Sequence, residues 1–568
     1  MKAAITDRLF IETVGKRFEG DFLRFEGVLS CIRLTIDPEL ELLRLYSSCT
    51  SPNAYHFFLA RQLEQGAILL TTNFDNLLER ACHALGIHYT LLATDEELTA
   101  FGKNPDAFQH PILKLHGGYD LMNSDGTIRQ GAQHIKAAIE HVGQLYLSGP
   151  SNHLAVAIAA ALSTRHLVVM GYSGCDDFDI MPCLLEQPAP NGLSWLHHSQ
   201  HSPRQENQLP EDWRDRPPFR LLQGDKNQSM QIISGDTAAV FGIDIKGSQP
   251  DQPQFDWSAR LADWADKHLA TTAQQHLFLG YLLSMLERFE ESAAFLEHIR
   301  EAALPQRQDG IRQLILCNII PFLNDNERAI LTLSALTDSE QIIDGISIKG
   351  IAYYNLARVN TNMNQFKLAE MYLHAAFKIF EKAEDPVRMA DAMHELGRVV
   401  AESGEIEKSL KYYESANRIS EAIGHLTGTA MGYTAIASAL RQQGNLDEAE
   451  AYAHKAIKIL RLNGNQTGLG IAYHGLGYIL SLRENFAEAA RAFETAVSYE
   501  RSASAKLDLG HSLHSLGNMY LNMMQLDKAQ ACLEESLQIK RIIHDQKGIE
   551  NSTKLLQTVL TLKGEGRF

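Results

Sequence analysis

At 568 residues the chain is too long for a single hydrophobic core and predicts two to four domains. A hydrophobic content of 45% and a charged content of 21% place it among ordinary soluble globular proteins. Its formal net charge of −17, from 69 acidic and 52 basic residues, repels phosphate backbones and anionic lipid, which argues against nucleic acid or a membrane as a partner of the whole chain.

The opening segment MKAAITDRLFIETVGKRFEG lacks the continuous apolar core of a leader peptide, and no apolar run reaches the ~18 to 20 residues that span a bilayer. The seven cysteines, Cys31, Cys49, Cys82, Cys175, Cys183, Cys317 and Cys532, are odd in number, dispersed and without a CxxC pair. That pattern reads as reduced thiols in a cytoplasmic protein, with neither a disulfide framework nor a zinc site.

Four short apolar runs follow, each ending in polar or glycine residues. Ala67–Leu70 leads into Thr71-Thr72-Asn73-Phe74-Asp75 and then the helical pattern NLLERACHALG. Pro111–Leu115 ends in His116-Gly117-Gly118, and Leu167–Met170 in Gly171-Tyr172-Ser173 with Asp176 and Asp177 beyond. Leu193–Leu196 ends in His197-His198. With helical segments such as Asn152–Leu162 between them, these runs predict a doubly wound, Rossmann-like α/β sheet, which takes its ligands at the carboxyl ends of the strands.

Each signature has a plain structural reading beside the functional one. Asn73 and Asp75 are suited to capping the helix that follows, His116 before two glycines to a turn, and Ser173 to closing a strand-to-helix connection. Their common position, all at one edge of one predicted sheet, favours a ligand site.

The segments PNAYHFFLARQLEQGAILLTTNFDNLLERA, ILKLHGG and LVVMGYSGCDD together resemble the bacterial sirtuin-like family associated with NAD hydrolysis, over roughly residues 50 to 200. The resemblance implies that Asn73 and Asp75, with Thr71 and Thr72 in the same turn, contact the nicotinamide and its ribose. It implies His116 as the base acting on the ribose hydroxyls, and Gly171 to Ser173 against ribose and phosphates. The chemistry suits these residue types: nicotinamide leaves from an already positive ring through an oxocarbenium-like transition state. An amide such as Asn73 holds water near the anomeric carbon, and a neutral histidine such as His116 takes a proton.

Two departures from the sirtuin pattern bear on activity. Residues 119 to 150 contain no cysteine, so the four-cysteine zinc module of protein-deacylating sirtuins is missing, which favours NAD as a substrate to be hydrolysed over deacylation and implies no zinc. The family's glycine-rich turn is not legible in the first 50 residues, whose glycines are Gly15, Gly20 and Gly27, so the α/β domain reads as incomplete at its N-terminal end. Three readings remain open: the chain starts late, another copy completes the phosphate cradle, or the domain binds without cleaving.

LHHSQH, with His197, His198 and His201, fits no metal-ligand spacing and reads as a solvated loop. Pro203–Pro218 and Gly247–Gln254 read as connecting loops. Beyond them the pattern becomes a repeat. LAR, LGR, IAS, LGY and LGN begin at Leu356, Leu396, Ile436, Leu476 and Leu516, a spacing of 40. Small residues recur at Ala369, Ser409, Ala449, Ala489 and Ala529, and again at Ala376, Ala416, Ala456, Ala496 and Ser536. Weaker copies at Leu279-Gly280 with Ser292, and at Leu316-Cys317 with Ala329, bring the number of units to about seven. Small residues at these places let paired helices approach, and one hairpin cannot bury its apolar face alone, so neighbours stack.

This pattern resembles the tetratricopeptide family, although that family's period is ~34 residues. The longer period predicts longer second helices or longer loops. The expected organisation is a sirtuin-like domain over 1–215, a connecting segment over 216–264 and an all-α tetratricopeptide-repeat solenoid over 265–568. The resemblances together imply an NAD hydrolase of bacterial antiviral defence, controlled by a protein or peptide trigger on the repeats and acting as a homo-oligomer. A catalytically impaired NAD or ADP-ribose sensor, a scaffold, and a zinc-free deacylase are the competing expectations.

Overall fold

The computed structural model of the protein describes residues 25–130, 153–170, 191–198, 205–206, 230–244, 257–286, 288–299, 303–323, 325–462, 465–502, 506–542 and 545–564. The chain forms two compact units, one of Met1–Thr332 with Gln341–Ile343, the other of Leu333–Glu340 with Asp344–Phe568. The first is an α/β region with parallel sheets that also takes in the earliest helical hairpins; the second is a stack of helical hairpins.

In the first unit α1 (Phe25–Thr35) is followed by α2 (Ala54–Glu64), β1 (Leu69–Thr71), α3 (Leu77–Leu85), β2 (Thr90–Leu92), α4 (Asp95–Lys103) and β3 (Pro111–Lys114). Asn53 starts α2, its side chain accepting from the Tyr55 and His56 amides while His56 Nδ1 accepts from the Asn53 amide, a reciprocal cap. Thr94 and Glu97 start α4 in the same way, and Arg129 grips the Glu97 carboxylate at 2.6 and 3.1 Å. The strand β3 is buried at all four positions and lies between β1 and β2, parallel to both, with Thr71 opposite Lys114 and Leu92 opposite Leu113. Burial on both faces explains the near-continuous apolar run of PILKL.

Next come the antiparallel pair β4 (Asp120–Met122) and β5 (Ile128–Gln130), α5 (His153–Thr164), β6 (Leu167–Met170), β7 (Leu193–His198), β8 (Gln205–Glu206) and β9 (Met230–Gly235). The expected single sheet is divided among the described residues: the ladder β1-β3-β2 is separate from the ladder β6-β7-β9-β8. A shared core joins them, with Leu113, Leu115, Leu154, Ile158, Val169 and Trp195 in one buried cluster. His197 and His198 belong to strand β7, not to a loop, and pair in register with Ser234 and Gly235; His201 lies outside the described residues.

After α6 (Thr237–Phe241) the unit turns helical with α7 (Trp257–His268), α8 (Thr272–Met285), α9 (Phe289–Glu297) and α10 (Gln306–Ile319), and α11 (Asn326–Leu336) is divided between the two units at Leu333. In the α8–α9 hairpin Ser292 is fully buried and donates to the Gly280 carbonyl at 2.6 Å. α1 returns to this helical part. Val28, Leu29 and Ile32 share a core with Leu261, Trp264, Phe278 and Leu282.

In the second unit α12 (Ile348–Asn362), α13 (Phe366–Lys382), α14 (Pro386–Glu402), α15 (Ile406–Ala422), α16 (Leu426–Gln442) and α17 (Leu446–Leu462) lead to α18 (Gln466–Leu482), α19 (Phe486–Ser502), α20 (Lys506–Asn522), α21 (Leu526–Ile542) and the closing helix α22 (Gln546–Leu562). From α13 onward every helix has 17 residues and every connection three, which makes the 40-residue period. The added length over the usual repeat therefore lies in both helices of each hairpin and not in the loops. Turns close with a left-handed middle residue, as at Asn364, Gly404 and Gly444. The residue after it bonds back five positions, as from the Gln365 amide to the Asn360 carbonyl, the standard helix stop.

Candidate functional site

The T-T-N-F-D turn begins where β1 ends. Thr71 Oγ1 accepts from the Asn73 amide at 3.1 Å, and Asp75 Oδ1 accepts from the Leu77 amide at 3.0 Å, handing the chain into α3. Asp75 thus does the local turn work that its residue type suggests. Asn76 at the head of α3 accepts instead from Arg80 Nε at 2.8 Å. Asn73 is exposed and its side chain makes no hydrogen bond among the described residues, whereas Thr71, Thr72 and Asp75 are half-buried.

The second segment leaves the neighbouring strand. The Leu115 amide donates to the Thr71 carbonyl at 2.9 Å, extending the β1–β3 ladder by one bond, and a tight turn from the Gly117 amide to the Lys114 carbonyl follows. His116 sits at that turn, half-buried, with its ring stacked on Phe74 at 6.2 Å between centroids and 27° between planes. Parallel pairing of β1 with β3 is therefore what brings Asn73, Asp75 and His116 to one edge, and Phe74, between the two polar residues of its turn, makes the contact. Gly118 permits the approach: a Cβ there would lie 3.0 Å from Leu121 Cδ2 and 3.4 Å from the Phe74 carbonyl. Gly171 and Ser173 lie outside the described residues.

Three further residues belong to this edge and were not singled out from the sequence. Lys114 and Glu79 form an ion pair at 3.1 Å, each only 1% exposed, directly beneath the turn. A lysine inside the apolar run PILKL was the legible signal for it. Burial pushes the Glu79 carboxyl above its ordinary range, and Lys114 pulls it part of the way back. His56, fixed by its cap, is the third: burial pushes it below the usual histidine range, and the charge of Asp75 pulls it the other way. Among the described residues no group of three or more His, Cys, Asp or Glu is placed to hold a metal ion, and no helix is long and apolar enough to cross a membrane.

Residues 67–186 match the family model described as SIR2-like domain. Residues 349–422 and 428–499 match one model described as tetratricopeptide repeat, and residues 510–542 match another. The chain accordingly joins a SIR2-like domain to a run of tetratricopeptide repeats. No curated protein matches it. Among solved structures it is similar to BtubC (BKLC) from P. vanneervenii, at 19% identity over 39% of this chain and 93% of that one, with a TM-score of 0.34. It is also similar to a Rap protein complexed with competence and sporulation factor, at 15% identity over 55% and 94% with a TM-score of 0.36. Aspartyl phosphate phosphatase F from Bacillus subtilis is similar at 15% identity over 53% and 78%, with a TM-score of 0.38. At these scores nothing about activity or partner rests on the likeness.

Proposed function

We propose that the α/β region cleaves the bond between nicotinamide and ribose in NAD. The observation that carries the reading is the exposed Asn73 amide held on the same sheet edge as His116, the two segments touching through Phe74. The match to the SIR2-like model supports NAD as the ligand. In this reading Asn73 orients water at the anomeric carbon, and His116 takes a proton from a ribose hydroxyl or, through it, from that water. Asp75 holds the nicotinamide amide, Thr71 and Thr72 line the same turn, and Gly171 to Ser173 lie against ribose and phosphates. The repeat array binds a protein or peptide trigger, or further copies of the chain, and so controls the reaction. The role implied by the family resemblance is bacterial antiviral defence in the cytoplasm by NAD depletion.

A second reading, a domain that binds NAD or ADP-ribose without cleaving it, draws on a different observation. Residues 25–35 are helical, with Val28, Leu29, Cys31 and Ile32 in a buried core shared with α7 and α8, so this stretch supplies no strand and glycine turn for phosphates. NAD content in cells expressing the chain separates the two. Wild type draining NAD, with Asn73→Ala and His116→Ala reducing the rate by about 10²- to 10⁴-fold at matched protein levels, supports hydrolysis. NAD that stays level in all three, with and without phage challenge, refutes it.

A further inference from the structure

We propose that Lys114 and Glu79 are positioning residues that hold the Asn73–Asp75 backbone in its working shape; the inference rests on reading that turn as the NAD site. Lys114 closes β3, opposite Thr71, and its side chain runs beneath the turn. Its ammonium has three protons to place. It donates to the Asp75 carbonyl and to the Asn73 carbonyl, the latter at 3.4 Å, and faces Glu79 Oε1 at 3.1 Å. Glu79 stands in the first turn of α3, so one cation ties β3, the turn and the following helix together. Asn73 is consequently held at both of its peptide groups, the amide by Thr71 Oγ1 and the carbonyl by Lys114. Its exposed side chain projects from a fixed root.

The cost of this arrangement points to its purpose. Both partners are 1% exposed, and among the described residues neither carboxylate oxygen of Glu79 has a well-aligned hydrogen bond, Oε1 meeting Lys114 as an ion pair alone. Taking a cation and an anion out of water is expensive, and apolar residues of similar size are often neutral or stabilising in such a place. A fold that needed only filler between β3 and α3 has cheaper solutions. What an apolar filler cannot do is donate to two turn carbonyls. A misplacement of about 1 Å at reacting groups costs on the order of 100-fold in rate, which is the benefit the pair confers.

Lys114→Met alone strands a buried carboxylate and risks unfolding, so the informative protein is the full-length Lys114→Met/Glu79→Leu double variant. It is expected to melt within about 4 °C of wild type, because the charges leave together. Amide exchange in peptides covering residues 71–77 is expected to rise about tenfold or more, since the turn has lost its donors. The NAD cleavage kcat is expected to fall about 100-fold while KM moves much less. Unchanged exchange in the turn overturns the proposal, as does a wild-type kcat in a variant whose turn has loosened. Should wild type itself match His116→Ala in cleaving no NAD, the hydrolase reading falls alone, and the exchange comparison still decides whether the pair holds the turn.

Discussion

Asp37 is the residue whose removal most directly tests how the N-terminal segment is built into the first unit. Its side chain is 1% exposed and accepts three hydrogen bonds. Trp264 Nε1 donates at 2.9 Å, and the Glu41 and Leu42 amides at 3.0 Å each. The carboxylate thus ties the end of α1 to α7, across 227 positions of sequence. Around it stand Leu40, Leu42, Leu43 and Leu261, all buried. Asp37→Ala leaves three donors in an apolar setting, each costing roughly 1 to 3 kcal/mol when unsatisfied. Partial relaxation and entry of water prevent simple addition of the three, so a loss of about 3 to 5 kcal/mol is expected, toward the low end of the summed range. For a unit of this size that corresponds to a fall of roughly 4 to 7 °C in its melting temperature. Asp37→Asn, which keeps one acceptor oxygen, should lose less. Urea unfolding of the full chain, followed by tryptophan fluorescence with calorimetry beside it, separates the first unit from the repeats. A loss below about 1 kcal/mol, or a loss confined to the repeat transition, would refute the claim that this carboxylate is the anchor.

Two more outcomes concern the repeats. Glu500 is 1% exposed, accepts from Ser512 Oγ at 2.8 Å and is pushed by burial up to about 7, with Asp508 adding to the rise. Because its folded value lies above the unfolded ~4.3, its contribution is complete below pH ~4.3 and is lost as pH rises through about 7. His474, 2.6 Å from the same Ser512 and pushed by burial down to about 4, slopes the other way: its contribution is present above pH ~6.5 and lost as pH falls toward 4. The wild-type minus Glu500→Gln stability difference isolates the carboxyl and should fall by about 2 to 3 kcal/mol between pH 5 and pH 8; a flat difference in urea titrations would count against it. Gly475→Ala and Gly477→Ala, two positions apart on α18, should have opposite signs. A Cβ at Gly475 meets nothing within 4 Å and should gain about 0.5 to 1 kcal/mol of helix propensity, whereas at Gly477 it would lie 2.8 Å from the buried Phe493 ring and cost about 1 to 3 kcal/mol. Thermal melts giving the same sign for both would refute the packing reading.

The repeats were legible because each unit is local. Gly517 and Ala529, twelve residues apart, meet in one hairpin, where a Cβ on the glycine would lie 3.4 Å from the Ala529 carbonyl, so spacing alone reveals the contact. Strands ending at Thr71, Lys114 and Met170 were legible for a similar reason, as apolar runs that stop at turn residues. Strands β2 and β9 were overlooked: Thr90–Leu92 has only three residues, too few for a period, and Met230–Gly235 mixes polar with apolar residues. The hairpin β4–β5 carried a readable mark in Asp125-Gly126, and Gly126 does take a left-handed φ of 84°. Residues 25–47 carried no mark at all. Core partners of this stretch, Leu261, Trp264 and Phe278 among them, lie beyond residue 260, and nothing in local spacing tells a helix end that it will meet a tryptophan there.

That distant pairing bears on how the site is held. Phe74 and Tyr119 both pack against the cluster formed by α1, α7 and α8, and Phe74 also stacks on His116. The ring between Asn73 and Asp75 is therefore shared between the sheet edge and the first helical hairpin, inside one compact unit. Lys114 holds the same turn from below through its carbonyls. A turn held from two sides, by the packing of Phe74 on one and by the Lys114 ammonium on the other, has few ways to move, so the exposed Asn73 side chain stands on a backbone whose shape is set by residues far from it in sequence.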